Sequence, residues 1–327
     1  MADINKQIHL VSRPEGEAMA TNFRLVEAAV AAPADGQVLV RNRFLSLDPY
    51  MRGRMNDAKS YAQPQPLGQV MQGGTAGEVV ASKNERFRVG DTVVTFGGWQ
   101  QYALVDGNAV GALRKVDTTH VPLSAYLGAV GMPGVTAWYG LMKICQPKAG
   151  GTIVVSAASG AVGIAGGAEK CAYVVDELGF DACVDYKAVM GKSADPKALY
   201  EALKAATPEG VDGCFENVGG AMLDATLARM NAFGRIALCG MISGYDGAPI
   251  PLLQPSLLLQ SRLTLEGFIV SEHMEVWPEA LKELGGLVAT GKLKYRETVA
   301  KGIEAAPEAF LGLLKGRNFG KQLVKVD

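Results

Sequence analysis

This 327-residue chain has little that would commit it to a special class. It has five cysteines, Cys145, Cys171, Cys183, Cys214 and Cys239, with no C-x-x-C pair among them. An odd, scattered set reads as small apolar residues in a reducing compartment and gives no disulfide framework. There is no charge of one sign to spare: 32 Lys and Arg stand against 33 Asp and Glu, net −1. That balance carries no electrostatic footprint for nucleic acid or an anionic membrane. The opening MADINKQIHL lacks an apolar signal core, so the expected location is the cytoplasm. One stretch, 121–142, runs without charge for long enough to span a bilayer, but Pro122, Pro133 and four glycines interrupt it. It reads as a buried helix with a Pro-Gly break, and no membrane partner is expected.

What is present is apolar and rich in glycine. Hydrophobic residues make up 48% and charged residues 20%, enough to build sizeable cores. At roughly 150 residues per domain, the length suggests about two domains. Gly numbers 40, which points to tight turns and close approaches of backbone to ligand.

Two textures follow one another. Up to about residue 120, short β-branched runs such as Gln37-Val-Leu-Val-Arg, Gly77-Glu-Val-Val-Ala and Asp91-Thr-Val-Val-Thr-Phe are separated by Gly, Pro and Asp. From about 123, apolar strands alternate with helices. Strands are expected at 152–156, 182–186, 211–218 and 235–240. Helices are expected at 168–178, 196–206 and 221–230. This alternation predicts a doubly wound parallel sheet. Near the end, 304–314 has helical spacing, and 321–326 alternates as a strand that returns to the first domain. The expected division is therefore a β-rich domain of 1–122 with 295–327, and a cofactor domain of 123–294.

The first strand of the second half runs into Ala157-Ala-Ser-Gly160-Ala-Val-Gly163. Closely spaced glycines between a buried strand and a helix let backbone N–H groups approach a pyrophosphate, which is a dinucleotide-binding signal. The spacing then fails. A βαβ unit needs a crossover helix of about ten residues and a second strand, with the ribose-reading residue about 20 positions on. Here only six residues separate Gly163 from Lys170. Either the helix at Ala168 is the crossover helix, entered through a long glycine loop, or a helix and a strand are missing. At the place where an NAD enzyme shows an acid stands Gly166-Gly167, with Lys170 three residues on. That arrangement leaves two readings, a ligand for the 2′-phosphate of NADPH/NADP or a solvated lysine in the first turn of a helix.

Several segments together resemble a known family. They are Leu45-Ser-Leu-Asp-Pro-Tyr-Met-Arg-Gly-Arg-Met55, Gly131-Met-Pro-Gly-Val-Thr-Ala-Trp-Tyr-Gly140, Gly160-Ala-Val-Gly163, Ala165-Gly-Gly-Ala-Glu-Lys170, Phe215-Glu-Asn-Val-Gly-Gly220, Cys239-Gly-Met-Ile-Ser-Gly-Tyr245 and Leu313-Leu-Lys-Gly-Arg-Asn-Phe-Gly-Lys321. The chain resembles the zinc-independent medium-chain dehydrogenase/reductases, specifically the NADPH-dependent alkenal/one and prostaglandin reductases, with the bacterial curcumin reductases nearest in pattern. The resemblance implies a GroES-like β-rich substrate domain beside a Rossmann-type cofactor domain, with substrate in the cleft between them, and allows a homodimer. It implies that Gly160, Ala161, Val162 and Gly163 hold the pyrophosphate and that Lys170 and Tyr186 face the 2′-phosphate. Asn217, Cys239, Gly240, Ser243, Tyr245, Phe268, Ile269, Val270 and Asn318 would line nicotinamide and ribose, and Tyr50 and Tyr61 would sit by substrate. In that family about sixteen residues, a crossover helix and most of the next strand, stand between the Gly-x-x-Gly turn and the Ala-Gly-Gly segment; this chain lacks them.

A catalytic zinc needs three Cys, His, Asp or Glu ligands. The three histidines, His9, His120 and His273, are scattered; Ser46 stands where zinc relatives show Cys, and Gly73-Gly-Thr where they show His-Glu. No metal is expected. Chemistry without a Lewis acid fits hydride addition to the β-carbon of an enone, where one hydrogen-bond donor stabilises the enolate. Tyr245, on the loop after a parallel strand, is the candidate catalytic donor. Trp99 reads as core and Tyr50 as pocket. The expected activity is NADPH-dependent reduction of the C=C bond of small enones or alkenals. The alternatives are a quinone reductase of the same superfamily, or a relative in which the missing segment has abolished turnover.

Overall fold

The computed structural model describes residues 4–157, 163–191, 196–247 and 249–327. The chain divides into two compact units, Met1–Gly131 with Glu297–Asp327, and Met132–Arg296.

The first unit is β-rich. In chain order its strands are β1 (Ile4–Leu10), β2 (Phe23–Ala29), β3 (Gln37–Ser46), β4 (Gln69–Val70), β5 (Thr75–Ser82), β6 (Thr92–Thr95), β7 (Tyr102–Asp106) and β8 (Leu113–Lys115). The short helix α1 (Tyr50–Arg54) follows β3. Strands β2, β1 and β4 form one small sheet. The chain's last two strands, Glu297–Lys301 and Lys321–Lys325, return to the larger sheet, where Leu323–Lys325 pair antiparallel with Ser46–Phe44 of β3. Trp99 is fully buried, stacked on Phe23 at 5.5 Å and met edge-on by Phe310 at 5.5 Å. Aromatic contacts of this geometry add to the area that the rings remove from water. The C-terminal segment is thus part of this core.

The second unit opens with α2 (Met132–Tyr139), so the uncharged stretch does hold a helix starting just after Gly131. Next come β9 (Ile153–Ser156), β10 (Gly163–Ala165), α3 (Ala168–Ala172), β11 (Val184–Asp185), α4 (Tyr186–Met190), α5 (Pro196–Ala206), β12 (Val211–Glu216), α6 (Ala221–Leu227), β13 (Met230–Leu238), α7 (Ser256–Gln260), β14 (Thr264–Gly267) and α8 (Trp277–Ala289). In the first unit, β15 (Glu297–Lys301), α9 (Ala306–Leu314) and β16 (Lys321–Lys325) complete the chain. Among the described residues, the sheet order is β11-β10-β9-β12-β13-β14, every pairing parallel. Counted from β9, this is the 3-2-1-4-5-6 order of a doubly wound dinucleotide fold, with its switch point between β9 and β12.

The strand β9 lacks polar alternation because both its faces are covered. Val154 joins Leu199 and Leu203 of α5 in one core; Val155 joins Trp138, Phe215, Ala280 and Leu284 in the other. Leu199 and Leu203, like Ala280 and Leu284, are four apart, so each pair lies on one helical face.

The missing-segment expectation needs correction in two respects. The second strand is present, though only Gly163–Ala165 remain of it, paired with the carboxyl end of β9 through Gly163–Val155 and Ile164–Ser156. The helix at Ala168 is not the crossover helix, since it lies after β10 and leads to β11. Ile164 and Ala165 are still fully buried on opposite faces of the sheet.

Candidate active site

In a parallel sheet of this order, ligands bind beyond the carboxyl ends of the strands. The structure puts the candidate residues of the second unit there. Gly166 and Lys170 follow β10, Tyr186 follows β11, Asn217 follows β12, Cys239–Tyr245 follow β13, and Phe268–Val270 follow β14. Gly160, Ala161 and Val162 lie outside the described residues. Gly163 opens β10 with φ +109°, in the region that favours glycine.

The end of β12 is organised by a fully buried carboxylate. Glu216 Oε1 accepts from Ser156 Oγ at 2.9 Å, from the Val218 N–H at 2.6 Å and from the Gly219 N–H at 2.7 Å. The Ser156 hydroxyl in turn accepts the Asn217 N–H at 2.8 Å, and Asn217 Nδ2 donates to Ser156 O at 2.8 Å. These bonds fasten the switch-point turn to β9. Burial pushes the Glu216 carboxyl above its ordinary value, partly offset by its four donors, the Gly219 and Val218 N–H groups, Ser156 and the Cys214 thiol.

The loop after β13 is pinned to the same turn. Ile242 N donates to Asn217 O at 3.1 Å, and Ser243 Oγ to Val218 O at 2.6 Å. A Cβ on Gly240 would stand 3.3 Å from both Asn217 O and Tyr245 Oη. The structure therefore gathers Asn217, Gly240, Ser243 and Tyr245 in one place. Desolvation, and then the charge of Glu216, push the partly exposed Cys239 thiol up to about 12. Phe268 is buried against Phe215 and Tyr139.

A second gathering lies beyond β10 and β11. Asp185 Oδ1 accepts from the Gly167 N–H at 2.8 Å and the Lys187 N–H at 3.1 Å, tying the two strand ends together. A Cβ on Gly166 would meet the Tyr186 ring and Lys187 Cε, each at 2.8 Å. Burial, and then the charge of Lys187, hold the Lys170 ammonium below its ordinary range. Two ammonium groups beside a tyrosine and an exposed glycine backbone suit a dianion. Sequence reasoning missed Lys187; its place directly after Tyr186 was the available signal.

In the first unit, Tyr50 and Tyr61 both face Arg54, whose guanidinium lies 5.1 Å from one ring and 5.9 Å from the other. Tyr61 is 55% exposed, whereas burial, aided by Asp48, raises the Tyr50 hydroxyl. Arg54 was missed, although Tyr50 and Arg54 are four apart on α1, the spacing of helix neighbours. Asn318 is buried and donates to Gly320 O at 2.6 Å. Ser46, at the position of the expected zinc cysteine, donates to Asp48 at 2.5 Å. Among the described residues, no group of three or more His, Cys, Asp and Glu could hold a metal ion.

Comparison with known proteins defines the class. Residues 6–113 match a family described as the N-terminal domain of oxidoreductase, and residues 149–285 one described as zinc-binding dehydrogenase. The NADPH-dependent curcumin reductase of Escherichia coli is 42% identical over 98% of this chain and 97% of its own. Prostaglandin reductase 1 of Rattus norvegicus is 40% identical, covering 95% of this chain and 96% of its own. The NADP(+)-dependent 2-alkenal reductase of Nicotiana tabacum is 37% identical, covering 99% and 98%. The crystal structure of CurA from Vibrio vulnificus in complex with NADPH superposes with a TM-score of 0.90 at 42% identity, covering 98% of this chain and 99% of the other. The chain belongs to the medium-chain dehydrogenase/reductase family, in the branch that holds the curcumin and prostaglandin reductases. The Escherichia coli alignment runs over 345 positions against a chain of 327 residues, so at least 345 − 327 = 18 positions have no residue of this chain.

Proposed function

We propose that this protein is an NADPH-dependent ene-reductase that reduces the C=C bond of α,β-unsaturated ketones and aldehydes. The observation that carries the reading is the likeness, along nearly the whole of both chains, to three reductases named for enone or alkenal substrates or for prostaglandins.

The residues present fit the cofactor at its 2′-phosphate end. Only glycine fits at 166, where Tyr186 and Lys187 pack against the backbone, and Lys170 stands in the field of Lys187. Gly167 occupies the position where an acid would read an unphosphorylated ribose. Lys170, Tyr186 and Lys187 would hold the phosphate. Asn217, Cys239, Gly240, Ser243, Phe268, Ile269, Val270 and Asn318 would line ribose and nicotinamide.

When bound, NADPH supplies the hydride that goes to the β-carbon. Tyr245 then acts as the donor to the substrate's carbonyl oxygen, whose negative charge grows as the double bond is lost. Its hydroxyl lies close to Gly240, on the loop that Asn217 O anchors through the Ile242 N–H. Preorganised in this way, the donor needs no rearrangement as charge develops. Solvent protonates the α-carbon. Tyr50 and Tyr61 offer flat apolar walls to a conjugated substrate. The substrate domain is Met1–Gly131 with Glu297–Asp327, the cofactor domain Met132–Arg296, the setting cytoplasmic, and the assembly a homodimer.

Steady-state rates with an enone and with a quinone, at fixed NADPH, test the reading. Saturable turnover of the enone is expected, with a larger kcat/KM than for the quinone. The reverse order would assign the chain to quinone reduction, and no turnover of either would leave it a non-catalytic relative.

A further inference from the structure

Cys171, on α3, and Cys183, one residue before β11, bring their sulfurs to 2.9 Å, with the Cys183 S–H donating to Cys171 Sγ. A disulfide requires an S–S length of about 2.0 Å, so the two atoms need only a small approach to bond. Both residues are partly exposed, which gives a small reagent access without unfolding. The other cysteines differ. Cys145 and Cys214 are buried, and Cys145 donates to the Cys214 carbonyl oxygen at 3.2 Å.

We propose that Cys171 and Cys183 are a covalent modification site, a dithiol that a hydroperoxide oxidises to a disulfide. The Cys171 thiolate attacks the peroxide: an S–O bond forms, the O–O bond breaks, and the leaving oxygen departs as water or alcohol after taking up a proton. The Cys183 sulfur then attacks the sulfenic sulfur of Cys171. The S–S bond forms, the S–O bond breaks, and hydroxide leaves with the Cys183 proton as water. Two thiols are oxidised by two electrons, and the peroxide is reduced by two. Burial and the bond to Cys171 push the Cys183 thiol up, so Cys183 is not the sulfur that attacks the peroxide first. In a reducing compartment such a bond is transient and is opened again by thiol exchange.

The link would close the loop 172–182, with Lys170 directly before it and Val184–Asp185–Tyr186 directly after it, next to the candidate phosphate ligands. The oxidation does not rest on the proposed activity, and its test reads sulfur chemistry alone.

The full chain is treated with hydrogen peroxide, then digested without reduction for mass spectrometry, with free thiols counted in parallel. The expected result is one cross-linked peptide pair joining Cys171 to Cys183, with free thiols falling from the five of the reduced chain to three. In Cys183→Ser, a sulfenic acid at Cys171 should be trapped by dimedone. A Cys171 carried on to sulfinic acid with no cross-link in the wild type would overturn the proposal. So would a link joining Cys145 to Cys214 in place of this pair.

Discussion

Lys321 Nζ lies 2.7 Å from Asp48 Oδ1, although the two residues are 273 positions apart. Their side chains are only 15% and 8% exposed. Lys321 also donates to Leu47 O at 2.7 Å, and Asp48 accepts from Ser46. The pair fastens the last strand, β16, to the end of β3 beside Tyr50. Breaking a buried pair from one side leaves an uncompensated charge, so Lys321→Met alone should destabilise the chain by about 3–5 kcal/mol. Adding Asp48→Leu should recover much of that. Denaturant titration checks both, and a single variant as stable as the wild type would remove the pair from the account.

Lys170 and Lys187 should set the cofactor preference. A charged hydrogen bond to phosphate contributes about 1.5–3 kcal/mol, so Lys170→Ala should raise the KM for NADPH roughly tenfold to hundredfold. The KM for NADH should move little. Lys187→Ala should act in the same direction. Equal changes for both cofactors would mean that these lysines do not meet a phosphate.

Tyr245→Phe keeps the ring and removes only the hydroxyl beside Gly240. If Tyr245 stabilises the enolate, kcat on an enone should fall by roughly 10²-fold, with little change in KM. An unchanged kcat would take Tyr245 out of the mechanism.

Glu216 gives a pH signature. Its folded-state pKa is raised above the ordinary 4.5, so the folded chain binds that proton more tightly than the unfolded one does. Its contribution to stability is therefore present below 4.5 and declines as pH rises from 4.5 through the raised value. Glu216→Gln keeps an acceptor for Ser156, Val218 and Gly219 and should abolish that decline. Glu216→Ala strands these three donors and should destabilise by at least ~3 kcal/mol. Stability measured against pH for the three proteins separates these effects.

Much of this was legible in the sequence where local pattern decides. The unbroken apolar run at 153–156 told of a strand covered on both faces, and the structure covers Val154 and Val155 on opposite sides. The helix expected at 196–206 is α5 (Pro196–Ala206). Trp99, read as core, lies between Phe23 and Phe310. The rest depends on contacts that no window contains. The pairing of Lys321 with Asp48 joins opposite ends of the chain, and the Cys171–Cys183 contact needs the turn between α3 and β11. The fate of the shortened βαβ unit was equally hidden. Spacing alone left open whether the helix at Ala168 was the crossover helix, and did not show that Gly163–Ala165 would still pair with the carboxyl end of β9 as a buried strand.

The most direct measurement of the central claim follows the hydride itself. The chain is supplied with NADPH carrying deuterium at the transferable C4 position and with an α,β-unsaturated ketone, and the product is analysed by NMR. The account predicts a saturated ketone with one deuterium on the β-carbon and ordinary hydrogen from solvent on the α-carbon. Deuterium on the carbonyl carbon of an allylic alcohol, or no product at saturating cofactor, would contradict it.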